Sequence, residues 1–268
     1  MGQRFVQVDA FTNIPFRGNP AAICVMESKP PDAWLQSLAN EMNLSETAYL
    51  WKRGDAWDLR WFTPAAEVKL CGHATVAAAH MLWEGEHVPL GASCRFNTLS
   101  GELVATRDGE WINVDFPAVP ESPIPKPEGL EDALGVSVGY TGLSQLDYVL
   151  AEVESEQVLR EFTPDFTKLR AFPYFGFIVT ARSSDPQFDF VSRFFAPSKG
   201  VNEDPVTGSA HCTLATYWEK KLGRSEFLAF QASARGGVVR VRRAGDRVIL
   251  GGQAVTVLKG MLAVEVVF

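Results

Sequence analysis

The sequence predicts an α+β protein of two similar domains, each wrapping strands around one buried helix. Three observations carry this prediction. Strand-type alternation dominates the 268 residues. Two helical stretches, "CGHATVAAAHMLW" from Cys71 and "TGSAHCTLATYW" from Thr207, open alike, with a glycine and a polar residue before small and apolar ones. Landmarks of the first half also recur in the second. Gly72, Gly101 and Gly109 return as Gly208, Gly237 and Gly245, with Ala74 matched by Ala210 and Glu67 by Glu203, all at an offset of 136. "FTP" at Phe62 returns as "FAP" at Phe195, at an offset of 133. The period is too long for a solenoid and fits two related domains.

The elements follow in order. "RFVQVDAF" and "AAICVM" alternate as strands. "PDAWLQSLANEM" puts Trp34, Leu35, Leu38 and Met42 on one helical face, with Asp32 as its N-cap. "ETAYLW" and "WDLRWF" read as strands separated by Gly54-Asp55. The helix from Ala74 to Trp83 is apolar almost all round, except for Thr75 and His80, and a helix apolar on every side is buried on every side. "GELVATR" and "EWINVDF" form a hairpin at Asp108-Gly109. "PAVPESPIPKPEG", Pro117 to Gly129, holds five prolines and reads as a stiff connector, which divides the chain into domains 1–116 and 117–256. Strands resume at "LDYVLAEV", "YFGFIVTA" and "QFDFVSRFF". The second helix, "GVVRVRR" and "RVILGG" follow, and "LAVEVVF" reads as a final apolar strand.

Composition excludes several classes. The hydrophobic content of 46% supports a sizeable core, and 21% charged residues exclude wholesale disorder. A net charge of −7 without a Lys/Arg cluster excludes a nucleic-acid binder, which needs concentrated positive charge. The start has no signal-peptide pattern, and no run of about 18 apolar residues predicts a membrane helix. The four cysteines, Cys24, Cys71, Cys94 and Cys212, are scattered without C-x-x-C spacing and read as reduced thiols in a cytoplasmic protein. Cys71 and His73 make one C-x-H pair, but no second paired motif completes a metal shell. No phosphate loop or dinucleotide fingerprint implies a nucleotide cofactor.

The repeat suggests a site. Two domains related by an approximate two-fold would face their helix N-termini at a shared cleft. Each N-terminus offers unpaired N–H groups and about half a positive charge, so a pair of them suits a substrate carboxylate. Gly72 and Gly208 let the backbone approach closely. Glu46, in "NLSETAYL", is either a capping-box residue opposite Asn43 or a general acid/base at a loop-to-strand junction. His73 is either a first-turn packing residue or a neutral hydrogen-bond donor to a substrate oxygen. His80, deeper in the helix, reads as a core residue. Asp204, in "NEDPVTGSA", is either a helix cap or a residue that orients substrate, and Ser209 is a first-turn anion ligand. A hydrolase pair of Ser209 with His211 is disfavoured, because residues two apart on a helix point away from each other.

These residues together resemble the phenazine-biosynthesis-like isomerase family, relatives of diaminopimelate epimerase. The matching pieces are "FTNIPFRGNPAAICV", "NLSETAYL", "FTPAAEVKLCGHAT", "FAPSKGVNEDPVTGSAHC" and "GGQAVTVLKG", which span nearly the whole chain. The resemblance implies a diaminopimelate epimerase-like fold of two pseudo-symmetric domains, each a curved, barrel-like mixed sheet around a central helix. It implies that the last strand, about 257–268, returns to the first domain. It also implies a cofactor-independent isomerase, a homodimer, acting on a small-molecule carboxylate. The family's catalytic residues fall on Glu46, His73 and Asp204, and its substrate-binding residues on Gly72, Gly208, Ser209 and Asn19. Glu46 would then take a proton from one carbon and return it to another. An alternative is a two-thiol epimerase or racemase with Cys71 at the first thiol position; its counterpart before Gly208 is missing, and Cys212 lies a turn deeper. A second alternative is a binding protein that keeps the cleft without the chemistry.

Overall fold

The computed structural model describes residues 2–264. The chain divides into two compact units, 1–115 with 251–268, and 116–250.

The first unit begins with β1 (Arg4–Ala10), β2 (Asn19–Met26), α1 (Asp32–Met42), β3 (Glu46–Arg53), β4 (Ala56–Phe62) and β5 (Glu67–Val68). It continues with α2 (Gly72–Glu84), β6 (Cys94–Thr98), β7 (Gly101–Asp108) and β8 (Trp111–Pro117). β1 and β2 are antiparallel, β2 and β3 parallel, and β3 and β4 antiparallel. β4 then pairs antiparallel with β5 and parallel with β6, and the β6–β7–β8 meander is antiparallel.

The second unit holds β9 (Glu121–Pro123), α3 (Leu130–Leu134), β10 (Tyr140–Ser144), β11 (Tyr148–Glu152), α4 (Glu156–Glu161), α5 (Phe166–Arg170), β12 (Gly176–Arg182) and β13 (Phe190–Ala196). After a 3₁₀ turn at Pro197–Lys199 come β14 (Val201–Asp204), α6 (Gly208–Leu222), β15 (Glu226–Gln231), β16 (Gly237–Ala244) and β17 (Arg247–Gly252). Its pairings repeat the first unit's sequence of directions. β10–β11 is antiparallel, β11–β12 parallel, β12–β13 and β13–β14 antiparallel, β13–β15 parallel and β15–β16 antiparallel. The chain then returns, because β18 (Ala254–Met261) runs antiparallel to β1 in the first unit. β9 on β10 is its antiparallel counterpart in the second unit.

Each unit is a mixed sheet wrapped around one central helix, and the sequences explain why. α2 is buried on all sides from Ala74 to Ala79 and packs against β1, β2, β3, β7 and β18. Its run of alanines keeps the helix thin enough for strands to close on it from several directions. The strands between α1 and α2 are buried on both faces. Cys24, Met26, Tyr49, Trp51 and Phe62 pack with Leu35, Leu38 and Ala39 of α1, while the alternating Ile23, Ala48 and Leu50 are also buried. In the second unit α6 carries the heavier load. Trp218 stacks on Phe190 of β13 with centroids 5.4 Å apart and donates its indole N–H to Thr180 Oγ1 of β12.

Five sequence expectations change. Asp32 is not the N-cap of α1; Pro31 is, and Asp32 is the first helical residue, paired with Arg60 at 2.6 Å and Lys29 at 3.2 Å. The proline-rich segment is more than a connector, because Glu121–Pro123 pairs with β10 at a sheet edge, where a proline's missing N–H is tolerated. The last strand is Ala254–Met261 rather than "LAVEVVF". Leu262 to Val264 are not in a strand, and 265–268 of that expected element lie outside the described residues. His80 is half-buried rather than core, with Nε2 3.1 Å from Thr256 Oγ1 on β18. The units divide at 115/116 and 250/251, against the 116/117 and about 257 read from sequence.

Candidate active site

In the first unit the fold gathers Asn19, Glu46, Cys71 and His73. Asn19 opens β2, directly after Gly18, whose φ is +64°. A Cβ on Gly18 would lie 2.1 Å from the Ala10 carbonyl oxygen, so only glycine brings the chain in this closely. Glu46 opens β3 and pairs in parallel register with Ala21, two residues after Asn19. Cys71 is the N-cap of α2 in extended conformation, and His73 is the second residue of that helix. Asn43 ends α1 in a left-handed conformation and no helix follows, so the capping-box reading of Glu46 falls away.

The distances place these groups side by side. Asn19 Nδ2 lies 3.2 Å from His73 Nδ1, and His73 Nε2 lies 3.0 Å from Glu46 Oε2. Cys71 Sγ is 3.5 Å from Nδ1 and 4.0 Å from Nε2. Asn19 and His73 are buried, and the Glu46 side chain is 17% exposed.

Burial pulls the His73 pKa down, while Cys71 and Glu46 push it up, and the net direction is well above 6.5. The Cys71 contribution needs an ionised sulfur. Burial, followed by the Glu46 charge, pushes the Cys71 thiol up to about 11, so near neutral pH Glu46 is the group that acts on the imidazole.

Glu46, Cys71 and His73 each offer a ligand atom within 4.8 Å of the others. The sequence had shown only the Cys71–His73 pair. The carboxylate lies 3.0 Å from Nε2, and the sulfur 3.5 Å from Nδ1 and 4.0 Å from Nε2, so the cluster has the donor types both for handling a proton and for holding a cation.

The second unit has its own constellation at the start of α6. Thr207 is the N-cap, and Gly208 and Ser209 form the first turn. Asp204 does not cap the helix as a bare N-cap residue would. Its Oδ2 accepts the Thr207 hydroxyl at 2.5 Å. Gln231, at the end of β15, spans this corner. Its Oε1 accepts the Thr207 N–H at 2.8 Å and its Nε2 donates to the Asp204 carbonyl at 2.7 Å. Ser209 Oγ lies 3.1 Å from the Tyr148 hydroxyl, whose pKa is raised chiefly by burial. The Ser209–His211 pair does not form: His211 Nδ1 donates to the Thr207 carbonyl at 2.8 Å. Sequence reasoning missed Gln231 and Tyr148. Both sit at strand ends outside any motif, and only the fold brings them to α6.

Neither Cys71 nor Thr207 caps its helix through its side chain, and neither helix has an acidic residue in its first turn. The positive ends of both helices are thus free of protein carboxylates on their own first turns, which suits an anionic ligand.

Comparison with known proteins supplies the family. The family model described as phenazine biosynthesis-like protein matches residues 8–260. An uncharacterized isomerase of Halalkalibacterium halodurans is 52% identical over 95% of this chain and 96% of its own. The crystal structure of a phenazine biosynthesis protein family member from Enterococcus faecalis superposes with a TM-score of 0.94 at 40% identity, covering 98% of this chain and 100% of that one. The fold is shared more widely: a probable proline racemase from Agrobacterium radiobacter, at 12% identity, covers 98% of this chain and 93% of its own with a TM-score of 0.65. The two-unit fold, the matched span and the identity to the Halalkalibacterium relative agree, and the chain belongs to the phenazine biosynthesis-like family.

Proposed function

We propose that this chain is a cofactor-independent isomerase that moves a proton between carbons of a small carboxylic acid, with Glu46 as the acid/base. The observation that carries the reading is the 3.0 Å contact between Glu46 Oε2 and His73 Nε2, set at a helix N-terminus and largely withdrawn from water. Close relatives bearing the name isomerase support the reaction class. Glu46 removes a proton from one substrate carbon, the electron pair of that C–H bond moves the double bond along the chain, and Glu46 returns the proton at the new carbanionic carbon. No electron is gained or lost. His73 stabilises the Glu46 carboxylate that is present before the first transfer and regenerated by the second. Gly72, Gly208, Ser209 and Asp204 are proposed as substrate-contacting residues. A thiol mechanism at Cys71 is less well supported, because a thiol held at about 11 supplies little thiolate at neutral pH.

A thermal-shift screen of small carboxylic acids identifies the ligand, and proton exchange in deuterated water tests the chemistry. Glu46→Gln keeps shape but cannot accept the proton; it leaves binding nearly intact and cuts exchange about 10²-fold or more. Cys71→Ala costs far less. If Cys71→Ala abolishes exchange and Glu46→Gln retains it, the thiol mechanism replaces this one. A ligand that binds but takes up no deuterium makes the protein a binder.

A further inference from the structure

We infer that Asn19 is a positioning residue that selects the His73 tautomer, rather than a residue that holds substrate. This rests on the assignment of Glu46 as acid/base. Asn19 is fully buried, and its carboxamide faces His73 Nδ1 at 3.2 Å. A carboxamide nitrogen only donates, so in the neutral ring the Nδ1 it faces is the unprotonated acceptor. In that form the ring proton is on Nε2, the nitrogen 3.0 Å from Glu46 Oε2. The polarity runs one way: Asn19 N–H to Nδ1, with the Nε2 proton on the Glu46 side of the ring.

This direction has a chemical consequence. With the Nε2 proton on its side of the ring, the Glu46 carboxylate, 3.0 Å from Nε2, is stabilised electrostatically and stays able to take a substrate proton. With the opposite tautomer, a bare Nε2 would face the carboxylate lone pairs and repel them. The backbone places Asn19 where it can do this. β2 begins at Asn19, its register against β1 pairs Ala10 with Asn19, and Gly18 makes the close turn that precedes it. Aspartate at position 19 has nearly the same shape and reverses the polarity, because a carboxylate accepts a proton from Nδ1.

The test is ¹⁵N NMR of protein labelled at its four histidines, with the His73 signals assigned by a His73→Gln variant. Across a titration from about pH 6 to 10, the neutral form of His73 is expected to show one set of signals, Nδ1 of pyridine type and Nε2 of pyrrole type. Asn19→Asp is expected to turn both nitrogens to pyrrole type and to raise the pH at which the Nδ1 proton leaves by one unit or more. Asn19→Ala is expected to give a mixture of the two neutral tautomers. A wild-type neutral form protonated on Nδ1 overturns the inference, as does an Asn19→Asp spectrum identical to wild type. The wild-type spectrum decides the matter even where a variant fails to fold. A merely structural asparagine would move the melting temperature without moving the tautomer. The spectrum needs no substrate, so lost exchange with the tautomer intact counts against the isomerase reading, and the reverse counts against this one.

Discussion

Arg60 grips Glu67 with two parallel hydrogen bonds, Nε to Oε1 and Nη2 to Oε2, both at 2.6 Å. Arg193 grips Glu203 in the same way at 2.8 and 2.9 Å. Each guanidinium also lies over a phenylalanine of its own strand, Arg60 over Phe62 at 5.0 Å and Arg193 over Phe195 at 4.9 Å. Each pair thus ties the short strand before the central helix to the long strand before it, β5 to β4 and β14 to β13. The Arg60 and Arg193 side chains are only 14% and 12% exposed.

Removing one partner leaves a poorly hydrated charge. Arg60→Met is expected to lower unfolding stability by about 3 kcal/mol, and Arg193→Met by a similar amount. Arg60→Met with Glu67→Leu is expected to recover most of the loss, because neither charge is then stranded. Urea midpoints at constant slope measure all three. A single mutant with an unchanged midpoint would show the pair to be ornamental.

These pairs also show what the sequence disclosed. Glu67 and Glu203 were visible as matched landmarks at an offset of 136, and Phe62 and Phe195 at 133. The change of offset has a physical cause: the second unit inserts a 3₁₀ turn, Pro197–Lys199, closed by Gly200 at φ +84°. The central helices, their glycine starts and Glu46, His73 and Asp204 were legible because they sit in local patterns. α3, α4 and α5 were not, because helices of five or six residues carry too little periodicity to read. Gln231 and Tyr148 were not, because their partners lie at sequence separations of 24 and 61.

Gln231 is the clearest case. It is buried and holds both ends of the Asp204–Thr207 corner. Gln231→Met keeps the volume and removes both bonds, leaving a buried N–H and carbonyl without that partner. A loss of about 2–4 kcal/mol is expected, together with faster amide exchange at Thr207. Gln231→Glu still accepts from Thr207 but no longer donates to Asp204 when ionised, so its stability is expected to improve as pH falls towards the carboxyl range. A flat pH dependence for that variant would remove the splint from the account of Asp204.

Two groups set separate acid limits. Burial pushes His211 down to about 4, against 6.5 unfolded. The unfolded chain therefore binds this proton first, and stability falls as pH drops from 6.5 towards 4, by about 3 kcal/mol in total. His211→Gln is expected to flatten that window. Glu156 runs differently. Burial raises its pKa, but the Ser184 N–H, Arg160 and the Ser184 and Ser183 hydroxyls outweigh it and bring the carboxyl to about 2. A depressed carboxyl contributes stability above its unfolded value of 4.5 and loses it as pH falls towards 2. Glu156→Gln is expected to remove the lower limb and leave the upper one. Urea midpoints from pH 7 to 3 separate the two.

The last prediction concerns Cys71, because it separates the two proton chemistries without a substrate. Burial, then the nearby Glu46 charge, hold the thiol at about 11. Alkylation by iodoacetamide proceeds through the thiolate, so the Cys71 peptide is expected to react slowly at pH 8 and faster as pH rises towards 11. Glu46→Gln removes the charge that opposes ionisation and leaves the burial, so the alkylation profile is expected to shift to lower pH. Cys24 and Cys94, held at about 12 by burial alone, serve as internal references that Glu46→Gln leaves unmoved. Peptide mass mapping across a pH series reads all three sites at once. A Cys71 profile centred near neutral pH in the wild-type protein would mean that a reactive thiolate sits at the helix N-terminus. Cys71 would then displace Glu46 as the base, with His73 as its partner at 3.5 Å.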